Sequence, residues 1–586
     1  MEPRTLEALF LDKSFVIPEY QRDFAWKEEN VEELLDDIKE ALGSSDSHYV
    51  GTFILSRRKG ENQYRVVDGQ QRITTLTMLI HALISQLPRE QDKIAIIYTD
   101  KFVESNCSRK LYLAGENDAF FCQLLQGSAP TPKTRGQRLL KEAHDCITQH
   151  VIALKSQGPD VLWRWLDCAR TLQILEFVES DEGRAIRIFE TVNDRGVALS
   201  NMDKAKSVLV YHSNRFLEGN LDETINQSFG EMFRAYDAVR DMAEDPRYDV
   251  NLLKQQRFSD DWILRWHFLA SPSDEYDFNA TETHVLDALR RKLHRDRDDL
   301  VELLHFIDAY VCDAKEFFSG LRSLLQRAAH EPRYYKLFCV LGPSTWLYPL
   351  LIRLQMSDLL DKVVPGNSGL TFADLLEIAD IRVYKARGTD PRRDICFLAR
   401  DAKTLTAVEI SRRLLNLVTY FMDDAEFSRR LHGDVYNSTL AGALPFVFVA
   451  WDEHLLEQEG LSPYDRTALI NLHVGEPTIE HIFPEKPTFD FPNHGFVSEA
   501  EYLEKNHKLG NLLVLEKSIN SRCQNKTVQE KLRDLNLYNR SQYRGVRQFR
   551  AERQAANGGV FLGGDIDKRT EQLAKFCLAR WPLWSS

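Results

Sequence analysis

Two short stretches in the last quarter of the chain carry residue types that could hydrolyse a phosphodiester. In "EPTIEHIFPEK" (Glu476 to Lys486), Glu480 and His481 stand at the end of a strand-like run that Pro484 breaks. Asn511 opens the strand-like "NLLVL", and Asn520 lies nine residues later in a helical segment. Phosphodiester hydrolysis needs a base to activate water, an electrophile for the leaving oxygen and geometry that aligns them. A neutral histidine beside a hard cation held by a carboxylate and an amide oxygen meets those needs. On that reading His481 is the base, and Glu480 and Asn520 form a Mg²⁺ site completed by water and the scissile phosphate. Taken alone, a histidine next to a glutamate is more often a satisfied structural pair.

A second constellation lies in "YRVVDGQQRITTL" (Tyr64 to Leu76), where a strand-like run turns through Asp68-Gly69 into a helical pattern. Such a turn gathers unsatisfied backbone N–H groups and the positive end of a helix dipole. Phosphate is favoured there, and Arg72 would add a charge-assisted contact while Gln70 and Gln71 donate to phosphate or sugar oxygens. Asp68 would cap the helix or hold a metal-bound water. The plainer alternative is a tight turn with a capping aspartate and a surface arginine. No GxxxxGK[ST] loop accompanies it. Two further polar corners, Tyr20-Gln21-Arg22 and Asn193-Asp194-Arg195-Gly196, also place arginine and amides at element junctions.

Around these corners the chain mixes strands and helices. "YVGTFILS" and "QYRVV", joined by the charged "RRKGEN", predict a hairpin. Val31, Leu34, Leu35, Ile38 and Leu42 recur at helical spacing before Gly43, and Ile73 to Leu87 recur likewise after Gly69. Long helical patterns without recognisable chemistry fill residues 214–427. In the last part, Ser498 with Glu501 predicts a capped short helix, "NLLVL" a strand and "EKSINS" a helix.

With 586 residues the chain is long enough for two or three domains. The absence of any long apolar run argues against a membrane span, the charged N-terminus against a secretory signal, and nine scattered cysteines without a CxxC pair for reduced thiols in a cytoplasm. A net charge of −13 excludes a protein that simply coats nucleic acid. The exception is local: residues 501–553 hold twelve Lys/Arg against six Asp/Glu, with Tyr538, Tyr543 and Phe549 interleaved. That end could face a phosphate backbone, with Lys508, Lys517, Arg522 and Lys526 as DNA contacts.

These residues together resemble the GmrSD family. "IPEYQRDFAW", "VVDGQQRITTL" and "IFETVNDRGVALSNMDKAK" look like its N-terminal domain, and "IEHIFPEK…LGNLLVLEKSIN…NK" like its HNH nuclease domain. The resemblance implies an α+β multidomain protein: a ParB/sulfiredoxin-like nucleotide-binding domain over 1–213, a helical scaffold over 214–427 and a ββα-metal (HNH) nuclease within a helical domain over 428–586. It implies a bacterial, cytoplasmic, type IV restriction endonuclease of phage defence that cuts modified DNA. GTP or ATP would bind at Asp68, Gly69, Gln70, Gln71 and Arg72, with Gln21, Arg22, Asn193 and Arg195. His481 would be the general base, Asn511 the asparagine supporting its loop, and Glu480 and Asn520 the ligands of Mg²⁺ or another divalent cation. Glu480 replaces the more usual aspartate, and Asn520 stands where other branches carry histidine. A homodimer would suit a two-strand cut. Three other readings are a phosphorothioate-sensing NTPase and nickase of the SspE type, a nucleotide-switched DNA-binding sensor that does not cut, and an NTP-gated toxin nuclease acting on RNA.

Overall fold

In the computed structural model the described residues are 4–43, 48–57, 63–88, 92–105, 108–180, 185, 200–245, 248–367, 369–487, 489–555 and 560–584. The chain is a helix-rich α+β protein that divides into two compact units. One comprises Met1–Asp241 and Thr281–Ser319, the other Met242–Ala280 and Gly320–Ser586.

The first unit is built on a six-stranded mixed sheet. Its strand order is Arg4–Thr5, Gln173–Glu179, Tyr49–Ser56, Gln63–Asp68, Ser14–Val16 and Leu111–Tyr112. The expected hairpin is present: Tyr49–Ser56 and Gln63–Asp68 pair antiparallel, with Leu55 opposite Val66. The other long contact, between Tyr49–Ser56 and Gln173–Glu179, is parallel. Directly after the Gln63–Asp68 strand comes the helix Gln70–Ser85, apolar around most of its circumference. Ile73, Leu76, Leu79, Ile80 and Leu83 are fully buried, each contributing about 1.5–3 kcal/mol relative to exposure. This burial fixes the strand–turn–helix corner against the sheet and against the long helix Arg135–Ser156. The helix predicted before Gly43 spans Glu28–Gly43 and buries Val31, Leu34, Leu35 and Ile38.

The second unit is a helical body carrying one antiparallel ribbon, Pro477–His481 against Leu512–Glu516, with His481 opposite Leu512. The helix Lys517–Cys523 follows at once and packs on both strands. Between the strands lies the helix Glu499–Asn506, whose N-cap is Ser498 as expected; its hydroxyl accepts from Glu501 N–H at 3.3 Å. The Glu501 carboxylate reaches Val497 N–H rather than Ser498, so the box is shifted by one residue.

Helices clamp this ribbon from outside. Leu444–Gln458 packs on both strands, and its buried Asp452 accepts from the backbone N–H groups of Arg544 and Gly545, both at 2.7 Å. The helix Gly563–Arg580 lies so close to Gly510 that a Cβ there would sit 2.0 Å from Ile566 O. Only glycine fits at that crossing. Among the described residues the cysteines are free thiols, and no helix is long and apolar enough to cross a membrane.

Candidate active site

His481 is the last residue of its strand and is buried, 7% exposed. The turn that follows is held by amides. Asn511, fully buried, accepts from Phe483 N–H at 2.8 Å and donates to Phe483 O at 3.1 Å and Asn506 O at 2.7 Å. Asn506 donates to the carbonyls of Phe483 and Pro484, and Tyr502 O–H also donates to Pro484 O. A proline-broken turn exposes carbonyls with no ladder partner, and buried carbonyls need donors. These three side chains supply them, and the imidazole is thereby set in one place.

His481 Nε2 lies 3.0 Å from His507 Nδ1. Tyr436 stacks on His507 at 5.3 Å and meets the His481 ring edge-on at 4.5 Å. Glu485 completes a group in which one ligand atom from each of His481, Glu485 and His507 lies within 4.8 Å of the others. Burial, followed by the proximity of His507 and Lys531, lowers the His481 pKa to about 3, opposed only by Asp434. The ring is therefore a neutral imidazole at ordinary pH.

Glu480 points away from this group. Its carboxylate forms an ion pair with the fully buried Lys531 at 2.7 Å, accepts from Tyr538 O–H at 3.0 Å and also engages Cys523. Burial raises its pKa despite the lysine. Lys531 also donates to His481 O at 2.7 Å and Ile482 O at 3.2 Å, so one ammonium serves both the carboxylate and the turn. Asn520 donates to Thr478 Oγ1 at 2.9 Å and Ile479 O at 3.1 Å, which pins the helix to the strand.

The basic segment is less free than its composition implied. Lys508 pairs with Asp567 and Glu504, Lys517 with Glu476, Arg544 with Glu459 and Arg553 with Asp565. Tyr538, Tyr543 and Phe549 are core residues, at most 3% exposed, so they stack on the protein's own interior. Arg522 is exposed on the helix after the ribbon, and Lys526 donates to Arg522 O.

In the first unit, Gly69 is the N-cap of the helix with φ 92°, and no side chain caps the first turn. A Cβ at Gly69 would meet Phe53 at 2.5 Å. Asp68, half-buried and with its pKa raised by that burial, accepts from Gly69 N–H at 2.7 Å instead of capping the helix. Gln70, Gln71 and Arg22 line one cleft together with Asp23, Phe24 and Asn117. The Gln70 Oε1 is buried without a partner. Gln71 is tied at both ends, accepting from Ala25 N–H and donating to Asp23 O. Gln21 donates to Val67 O, and Arg72 to Thr52 O at 3.1 Å, so both brace the strands beside the cleft. Arg22 is bidentate to Asp203, both contacts 3.1 Å, and donates to Ser200 Oγ at 2.8 Å. Asn193 and Arg195 lie outside the described residues.

Sequence reasoning missed His507, Glu485, Tyr436 and Lys531 in the second unit, and Asp23, Asn117 and Asp203 in the first. His507 carried a signal, standing four residues before Asn511. Lys531 carried none, because a lysine in a helical stretch is ordinarily a solvated one.

Residues 6–210 match the family described as GmrSD restriction endonuclease, N-terminal domain. Residues 421–576 match GmrSD restriction endonucleases, C-terminal domain. No curated protein matches the chain. The two matches stand in the same order as the strand–turn–helix corner and the histidine ribbon. The chain belongs to the GmrSD restriction endonuclease family.

Proposed function

We propose that this protein is a nucleotide-regulated, modification-dependent (type IV) DNA endonuclease whose cutting centre is His481. The observation that carries this reading is the buried amide clamp of Asn511 on the turn after His481, which fixes a neutral imidazole at the end of a ribbon. A neutral histidine can take a proton from water, and a rigid mount spares the cost of orienting it at the moment of reaction. A ribbon followed by a helix is also the outline of a ββα-metal (HNH) centre. The antiparallel pair and the Lys517–Cys523 helix support that reading.

A divalent cation would supply stabilisation of the leaving oxygen. Glu480 and Asn520, the residues expected to hold Mg²⁺, do not fit that task as placed. The carboxylate is committed to Lys531 and Tyr538, and the amide NH₂ to the strand. A hard cation requires several open oxygens, and this pair leaves an amide oxygen with no free carboxylate.

The cleft beside Gly69 supports a nucleotide site. It joins an uncapped helix start, the unpartnered Gln70 oxygen and the Arg22 guanidinium. Orphan N–H groups at a helix start suit phosphate, and the amide suits a base or sugar edge. GTP or ATP there would govern when the nuclease acts on its target, modified phage DNA.

The test is cleavage of plain, glucosylated-hydroxymethylcytosine and phosphorothioate DNA with Mg²⁺ or Mn²⁺, with and without GTP or ATP, comparing wild type with His481→Ala. Cutting of one modified substrate, lost in the variant, is the expected result. Equal cutting of plain DNA defeats modification dependence, and cutting that survives in His481→Ala defeats the base assignment.

A further inference from the structure

We infer that His481, His507 and Glu485 form a binding site for an imidazole-preferring divalent cation of the Zn²⁺ class, separate from the oxygen site expected at Glu480 and Asn520. The ligand atoms are already gathered, all within 4.8 Å of one another. Two imidazole nitrogens bound to one tetrahedral ion at about 2.0–2.1 Å lie about 3.3 Å apart. His481 Nε2 and His507 Nδ1 are 3.0 Å apart, so one ion reaches both with only a small opening of the pair. Glu485 is exposed and free to swing onto the third position, and water would take the fourth, as in open three-ligand sites.

The donor set decides the class of metal. Two imidazoles and one carboxylate suit Zn²⁺, Co²⁺ or Ni²⁺, whereas Mg²⁺ selects oxygens. The surroundings hold the donors in place. Tyr436 lies nearly parallel to the His507 ring, at 8°. Val435 N–H donates to His507 O at 3.2 Å, and Asn511 and Asn506 fix the turn that carries Glu485. A second layer of this kind orients ligands and strengthens metal sites.

One consequence rests on the nuclease reading above. A neutral imidazole has a single lone pair. A cation on His481 Nε2 takes it, and the Nδ1 position then carries the proton. Such a ring cannot accept a proton from water, so Zn²⁺ occupancy and the base role of His481 exclude each other. The site would therefore act as an inhibitory metal switch on the same residue.

The binding test needs no DNA. The full chain, freed of metal, is titrated calorimetrically with Zn²⁺ in a large excess of Mg²⁺, as wild type, Glu485→Gln and His507→Ala. One site is expected in the wild type, weakened roughly tenfold or more in Glu485→Gln and lost in His507→Ala. Glu485 is exposed, so its variant keeps the fold and isolates the ligand effect. Its circular dichroism spectrum should match that of the wild type. No uptake by the wild type, or equal uptake by all three proteins, overturns the site, the second outcome assigning Zn²⁺ to thiols elsewhere. Should the titration succeed while Zn²⁺ leaves wild-type cleavage untouched, the metal site stands and the base role of His481 falls.

Discussion

Lys531 Nζ lies 2.7 Å from the Glu480 carboxylate, with the two side chains 0% and 5% exposed. Removing one partner of a buried ion pair typically costs about 3–5 kcal/mol, because the other charge stays buried and unpaired. Lys531→Met should therefore destabilise the C-terminal unit by that order, read as a lower urea midpoint. It should also loosen the turn after His481, since the same ammonium serves His481 O and Ile482 O. Joint replacement by Lys531→Met and Glu480→Leu should recover part of the stability. A double-mutant cycle with no coupling would show that the pair does not exist in solution. Retained cleavage in that double variant would exclude Glu480 as an indispensable cation ligand.

The clamp on the histidine turn is tested at Asn511. Asn511→Ala leaves the Phe483 N–H and the Asn506 carbonyl without their side-chain partner, and the Phe483 carbonyl with Asn506 alone. Each orphaned buried group costs about 1–3 kcal/mol. Cleavage should fall at least tenfold while binding to DNA is unchanged, because the clamp positions the base and does not contact substrate. Asn511→Asp should be worse than alanine. It removes the NH₂ donor and sets a carboxylate against two carbonyl oxygens.

The pH behaviour follows from the depressed His481 pKa. An unfolded histidine titrates near about 6.5, while burial and the neighbours His507 and Lys531 lower the folded ring to about 3. As pH falls below the unfolded value the unfolded chain binds the proton first. The stabilising contribution of this residue is present above that value and is lost progressively as pH falls through the folded one. Over the same window the folded ring remains a competent base, so the acid limb of cleavage should lie well below pH ~6. His507→Ala removes one of the lowering influences and should move that limb upward. An acid limb unchanged by His507→Ala would place His507 outside the electrostatic environment of the base.

How much of this was legible in the sequence differs between the two units. The strand–turn–helix around Gly69 was readable because apolar spacing, Asp-Gly and a clean period change coincide within a dozen residues. The two strands of the ribbon were readable as short strand-like runs, one broken by Pro484 and the other opened by the clamping asparagine, while their pairing came only with the family resemblance. What could not be read is which way side chains turn. Glu480 and His481 are adjacent in sequence, and adjacent strand residues face opposite sides. One therefore meets Lys531, from 51 residues on, and the other His507. Likewise the basic stretch 501–553 looked like a phosphate-facing surface. Several of its cations, Lys508 and Arg544 among them, found acidic partners from distant helices, Asp567 and Glu459.

The cleft in the first unit separates two ways of losing nucleotide. Gly69 has φ 92°, a region costing a side-chain residue roughly 1–2 kcal/mol, and a Cβ there would also displace Phe53 from the sheet core. Gly69→Ala should lower the melting temperature of the N-terminal unit and weaken nucleotide binding together. Gln70→Ala should act differently. Its Oε1 is buried without a partner in the cleft, so the change relieves an unsatisfied group and should leave stability unchanged or slightly raised. Binding of GTP or ATP, read by calorimetry, should fall because the amide that meets the ligand is gone. Arg72→Ala gives the third pattern, since Arg72 holds Thr52 O rather than lining the cleft. Its main effect should be on stability, with nucleotide affinity reduced less than in Gln70→Ala. Loss of binding in Arg72→Ala with full retention in Gln70→Ala would mean that the phosphates sit on the Arg72 side of the turn, outside the cleft.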